Sequence, residues 1–157
     1  MITISEFEKF IETDLVYEQK IISIIDDLGR QINLTNLGQL HSNYGKTIKV
    51  ENMEKYNEHI FFECEFLKTK FNHRGPVTCH AFRAFPYSKS FGLHTDPDDV
   101  IIRVIEGRKK IMVNNIMNEL ISNSEIFIPK NTPHEVKNEY DSLILSFGLE
   151  NFYVEKI

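Results

Sequence analysis

Apolar and polar residues alternate from Val77 to Phe85, in VTCHAFRAF, until Pro86 breaks the run. A period of two marks a strand with one buried face. VIIRVI and KIMV read as the arms of a hairpin, turning at Glu106-Gly107-Arg108, and SEIFIP and SLILSFGL as two further short strands. Turn-rich sequence separates these runs, the spacing of a small antiparallel sandwich or barrel. Upstream the period changes. Met53, Tyr56, Ile60, Cys64, Leu67 and Phe71 recur in steps of three or four, which predicts a helix over Asn52 to Lys70 with one buried side. Ser5 with Glu8 has the form of a capping box for a short first helix. The apolar spacing from Tyr17 to Leu28 fits a second helix ending at Gly29. Asn33 to Lys49, with two asparagines and two glycines inside it, reads as loop with at most a short strand. The expected organisation is one domain over residues 1–157: a mostly helical part, 1–72, and a β core, 73–157.

Composition changes this picture little. Apolar content of 41% and charged content of 26% are those of a soluble globular chain. A net charge of −5 weighs against nucleic-acid and membrane-surface partners, both of which favour basic patches. Two cysteines, Cys64 and Cys79, provide no disulfide framework. The first residues lack a signal-peptide core, and no apolar run reaches the roughly 18 residues of a membrane span. A cytoplasmic protein is the expectation.

The candidate chemistry lies at His94 and Asp96, which share parity at the head of an apolar strand, and at His134, which follows a proline-rich turn. Two imidazoles and one carboxylate can occupy one face of an octahedral iron and leave the opposite face open. His41, His59 and His73 fall in charged or turn-rich surroundings. His80 alternates with Phe82 and Ala84 and reads as a space-filling or solvent-facing residue, with support of a metal ligand as the alternative.

The segment Pro129 to Asn138, PKNTPHEVKN, resembles the second motif of the cupin superfamily, P-x-G-x-x-H-x-x-x-N preceded by a glycine. Pro129, His134 and Asn138 match it, while Asn123 and Asn131 stand at the glycine positions. Asparagine best tolerates the left-handed backbone those positions require. HTDPDDVIIRVIEGRKKIMV resembles the JmjC and cupin-like 2-oxoglutarate-dependent hydroxylases, in which H-x-D precedes an apolar strand, a turn ending G-x-K, and another strand. The resemblance covers residues 77–150.

It implies a cupin double-stranded β-helix, or jelly-roll barrel, mainly β with the N-terminal helices outside. It also implies Fe(II) held by His94, Asp96 and His134, and 2-oxoglutarate as cosubstrate with its distal carboxylate on Lys109. If KKIMV is a strand, Lys109 shares a face with Ile111 and Val113. There it either meets an anion or snorkels from the strand mouth to water. Arg83 and Arg103 are rival carboxylate clamps. Phe91 occupies the place where the family often has an assisting hydroxyl.

The implied function is an Fe(II)/2-oxoglutarate-dependent oxygenase hydroxylating a small-molecule or peptide substrate, with a homodimer among the forms cupins take. The alternatives are a metal-dependent cupin acting without 2-oxoglutarate, as dioxygenase or isomerase, and a non-catalytic cupin that binds a small acid.

Overall fold

A computed structural model of the chain describes residues 1–151. Its helices are α1 (Ile4–Ile11), α2 (Leu15–Glu18), α3 (Leu37–Ser42) and α4 (Glu58–Lys70), with a 3-10 turn at Met53–Lys55. Its strands are β1 (Ile22–Ile25), β2 (Gln31–Asn33), β3 (Thr47–Val50), β4 (Val77–Ala84), β5 (Asp99–Val113), β6 (Ile116–Ile121), β7 (Glu125–Ile128), β8 (His134–Lys137) and β9 (Ser142–Leu149). All pair antiparallel, in the order β2-β1-β3-β4-β9-β5-β6, with β7 and β8 also on β5. The chain is thus mainly antiparallel sheet with a few helices, an arrangement consistent with a cupin or jelly-roll fold. Among the described residues no helix is long and apolar enough to cross a membrane.

The expected hairpin at Glu106-Gly107-Arg108 is instead one 15-residue strand, β5. Its first half pairs with β9 and β7, and its second half with β6 and β8. What reads as a turn is a bulge. Val104 faces Ile144 and Glu106 faces Leu143, so Ile105 is an extra residue. The bulge inverts the strand's parity. Before it, Val100, Ile102 and Val104 join the inner apolar cluster; after it, Ile111 does, with Val113 packed alongside. Lys109 is brought to the inner face by this one-residue insertion.

The outer face of the large sheet packs beneath the helices. Phe7 and Ile11 of α1 and Ile60, Cys64 and Leu67 of α4 bury against Cys79, Ala81, Ile101, Leu143, Leu145 and Phe147. The spacing of three and four in α4 is that buried stripe, and Asn57 caps the helix by accepting from Ile60 N–H at 3.0 Å. The capping box of α1 lies two residues earlier than expected: Thr3 and Glu6 form it, and Glu106 takes the N–H of Ile4 at 2.9 Å. Glu8 faces Arg83 instead. Cys64 and Cys79 are both buried and free.

The N-terminal part also corrects the expected pattern. The Tyr17–Leu28 segment is not a long helix but α2 followed by β1. Ile22, Ser23, Ile24 and Ile25 are all buried, and a strand covered on both faces shows no alternation. The segment from Asn33 to Lys49, expected as loop with at most a short strand, holds most of one, β3, but also α3, capped by Asn36. The helices do lie outside the sheet, but β1, β2 and β3 extend it.

Asn123 and Asn131 have φ of 70° and 61°, the left-handed backbone expected at glycine positions. Replacing either with glycine should be neutral or stabilising by up to about 1 kcal/mol, because the strain of a side chain at positive φ disappears. Urea midpoints measure it; clear destabilisation by both would show that the asparagine side chains contribute more than their backbone conformation.

Candidate metal centre

His94 and His134 come together through a single antiparallel bridge: His94 N–H donates to His134 O at 3.0 Å, and His134 N–H to His94 O at 2.9 Å. The bridge sets their rings 4.4 Å apart. Asp96 is held from behind, its carbonyl accepting the N–H of Asn131 at 2.8 Å. The left-handed backbone of Asn131 therefore bears directly on the site.

Both imidazoles are oriented by main-chain carbonyls. His94 Nδ1 lies 2.8 Å from Gly92 O, and His134 Nδ1 lies 2.8 Å from Thr132 O. A carbonyl only accepts, so each Nδ1 carries its hydrogen and each neutral ring presents the Nε2 lone pair. Those lone pairs face Asp96 Oδ2, at 3.7 Å from His94 Nε2 and 3.2 Å from His134 Nε2. Three acceptors converging on one point need a cation between them. A proton can serve: Asp96 holds the His134 pKa above its ordinary value, and the His134 bond holds that of Asp96 below the usual carboxylate range. A divalent metal fits as well. The three donor atoms lie within 4.8 Å of one another. Cis ligands about 2.1 Å from an octahedral ion stand about 3 Å apart, close to these separations. Backbone-bonded Nδ1–H with Nε2 directed at the site is also how metal-binding histidines are ordinarily braced.

The three residues line one wall of a cavity of about 350 Å³, within the range for small-molecule sites. Lys109 lies in its wall, 1% exposed, and does not snorkel to water. Its ammonium donates to Asn138 Oδ1 at 2.6 Å. Asn138 is fixed in turn, its amide donating to Ser88 O at 3.0 Å and lying 3.4 Å from Thr47 Oγ1. Burial pushes the Lys109 pKa down to about 7, with the Arg83 charge adding to the effect. Arg83 and Arg103 do not line the cavity. Arg83 is tied to Glu8 and Asp141, and Arg103 to Glu63 and Glu125, all outside it. Thr47 and Ser90 supply hydroxyls to the cavity wall.

Lys49 and His80 also line the cavity; the sequence pattern offered a site-supporting place for His80 only as the lesser alternative and none for Lys49. For His80 there was a signal: Thr78, His80 and Phe82 share one parity on β4. Lys49 lay in a segment expected as loop with at most a short strand, where no parity could be assigned. His41 and His73 are elsewhere, bonded to Glu12 and to Glu150 O.

The antiparallel sheet that brings His94, Asp96 and His134 to one cavity has its like among solved structures, and the likeness is one of fold. Solved structures with this fold include YcfD, a ribosomal oxygenase from Escherichia coli. With YcfD in complex with cobalt and succinic acid, the TM-score is 0.72 at 17% identity, covering 99% of this chain and 45% of that one. With the complex of YcfD with cobalt and 2-oxoglutarate the values are 0.69, 18%, 98% and 45%. The chain thus spans less than half the length of the YcfD chain. Compared as sequence, it matches no family model and no curated protein.

Proposed function

We propose that the protein is an Fe(II)/2-oxoglutarate-dependent oxygenase, built on a double-stranded β-helix, that hydroxylates a small-molecule or peptide substrate. One observation carries the reading: His94, Asp96 and His134 converge, with both Nδ1 atoms engaged, in the same cavity as a buried lysine. His94, Asp96 and His134 would hold the iron. Iron with 2-oxoglutarate supplies oxygen activation; the chain's own part is to bind, orient and exclude water. The neighbouring fold's complexes with 2-oxoglutarate and succinic acid support the choice of cosubstrate. Lys109 would receive the distal carboxylate. Asn138 takes one of the three hydrogens of its ammonium, and the others remain for an anion.

The Lys109–Asn138 bond also favours a second reading, in which Lys109 is structural and the metal acts on substrate without a cosubstrate. Lys109→Met separates the two. A charge-assisted hydrogen bond contributes about 1.5–3 kcal/mol, so the variant should bind 2-oxoglutarate about 10–100-fold more weakly. Iron affinity should stay within about threefold. An amine with a pKa of about 7 gains a proton when a carboxylate joins it, so binding to the parent near neutral pH should take up protons, and binding to the variant should not. Calorimetry in two buffers reads both. Equal affinity in parent and variant removes Lys109 from the cosubstrate site, and no binding by the iron-loaded parent selects the second reading. Lys110→Met, whose side chain pairs with Glu139 at 2.6 Å on the other face, is the control.

A further inference from the structure

The inner face of the large sheet is apolar at Ile102 and Ile144 but polar beside them. On β4, His80 stands opposite Ser146 of β9, and Phe82 stands opposite Lys49 of β3. All four line the cavity. Asn52 N–H donates to His80 Nδ1 at 3.2 Å, which places the imidazole hydrogen on Nε2. Asn52 makes this bond from a left-handed backbone conformation, with φ of 57°. Among the described residues none accepts a hydrogen bond from that Nε2–H. Burial first, and the Lys49 charge second, hold His80 below its ordinary pKa, so at neutral pH it is an uncharged donor.

Lys49 Nζ lies 3.1 Å from Gln31 Oε1 and 3.4 Å from Glu51 Oε1, and 5.7 and 5.5 Å from the ring centres of Phe82 and Phe91. Phe91 meets Phe82 and His94 edge-on, at 6.1 and 6.3 Å, and so stands between Lys49 and the metal-site histidines. The carboxylates at this end are engaged. Glu150 takes the Thr78 hydroxyl at 2.5 Å, and Asp98 the N–H of Asn151 at 2.9 Å. A cation and a free N–H, side by side on a wall with an apolar neighbour, call for an acceptor rather than a donor.

We propose that Lys49 and His80 form an anion subsite separate from Lys109, which takes a carboxylate of the primary substrate while the substrate's apolar part lies against Phe91, Ile102 and Ile144. This rests on the reading of Lys109 as the cosubstrate clamp. The two lysines then divide two carboxylates between them. Lys109 holds one deep in the barrel, and Lys49 with His80 holds the other within reach of the triad. Asn52 is a positioning residue for His80.

The test uses the whole 157-residue chain, metal-free, and two-dimensional amide NMR, so its readout does not depend on turnover. Phenylacetate, phenylacetamide and 2-phenylethylamine are titrated in the presence of excess 2-oxoglutarate, and 2-oxoglutarate is titrated separately. Phenylacetate should bind at least tenfold more tightly than the amide and the amine. Lys49→Met and His80→Phe should each weaken phenylacetate about tenfold and change 2-oxoglutarate less than twofold. His80→Gln, which keeps an N–H donor, should retain most of the affinity and guards against a folding effect. Lys109→Met should show the reverse pattern. The proposal is overturned if the three probes bind alike, if none binds, or if the Lys49 and His80 variants leave phenylacetate unaffected. It is also overturned if those variants weaken 2-oxoglutarate as much as phenylacetate, since the subsite would then be the cosubstrate's own. If 2-oxoglutarate fails to bind the iron-loaded parent while phenylacetate behaves as described, the cosubstrate reading fails and the anion subsite stands.

Discussion

His134→Ala should abolish stoichiometric iron(II) binding, lowering affinity more than about 100-fold. Loss of residues that merely brace a metal ligand already costs about 10–100-fold, and a ligand itself costs more. His134 is the buried member of the triad and the nearer imidazole to Asp96. Without it, His94 and Asp96 remain as two ligands at a half-exposed mouth, too few to compete with water for a hard dication. The fold should survive, because the bridge between residues 94 and 134 is made by main-chain atoms and does not need the imidazole. Anaerobic titration of chelator-treated protein, with circular dichroism on the same samples, measures both. His59→Ala, at an exposed position on α4, is the control. A folded His134→Ala protein that takes up one iron with the parent's affinity would sink the triad.

That His94, Asp96 and His134 come together could be read from sequence because the signals are local. His-x-Asp fixes parity within three residues, and the asparagines at 123 and 131 stand at the motif's glycine positions, which marks them for left-handed turns as residue type alone would not: Asn36, Asn43 and Asn57 have negative φ. The helix over Glu58–Lys70 and the strand over Val77–Ala84 were legible for the same reason: one face of each is buried, and the period shows. Where both faces are covered the period vanishes, so Ile22–Ile25 passed for part of a helix. Where neither face is well covered it vanishes too: all three residues of β2 are exposed, and β6 leaves Ile116, Met117 and Ile121 exposed. The bulge in β5 failed differently. Glu106-Gly107-Arg108 carries the chemistry of a turn, and only pairing with a distant strand, β9, reveals that the chain runs on. His80 and Lys49 illustrate a further limit. Their role depends on which wall of a cavity they share, and β3 and β4 are joined by about 26 residues of intervening chain.

Gly107→Ala tests the bulge itself. Gly107 has a φ of +87°, and a Cβ there would lie 2.0 Å from the carbonyl oxygen of Asp141 and 2.9 Å from the Cα of Ser142. Both obstacles are backbone, so no side chain can swing aside; β9 would have to leave β5. Positive φ alone costs an alanine about 1–2 kcal/mol. The clash adds to it, and the total should reach at least about 3 kcal/mol, in the range reserved for named structural faults. Gly92→Ala separates the two contributions. Gly92 has a φ of +84°, but a Cβ there would meet nothing within 4 Å, so it should lose only the conformational part. Urea unfolding of the two variants measures the difference. The functional consequence follows from parity: Lys109 faces the cavity only because Ile105 is an extra residue and Gly107 lets the strand pass close beneath Asp141. A Gly107→Ala protein that still folds should therefore lose 2-oxoglutarate affinity to about the extent that Lys109→Met does. Equal midpoints for the Gly107 and Gly92 variants would mean that β9 yields freely, and that the close approach is not what holds Lys109 in place.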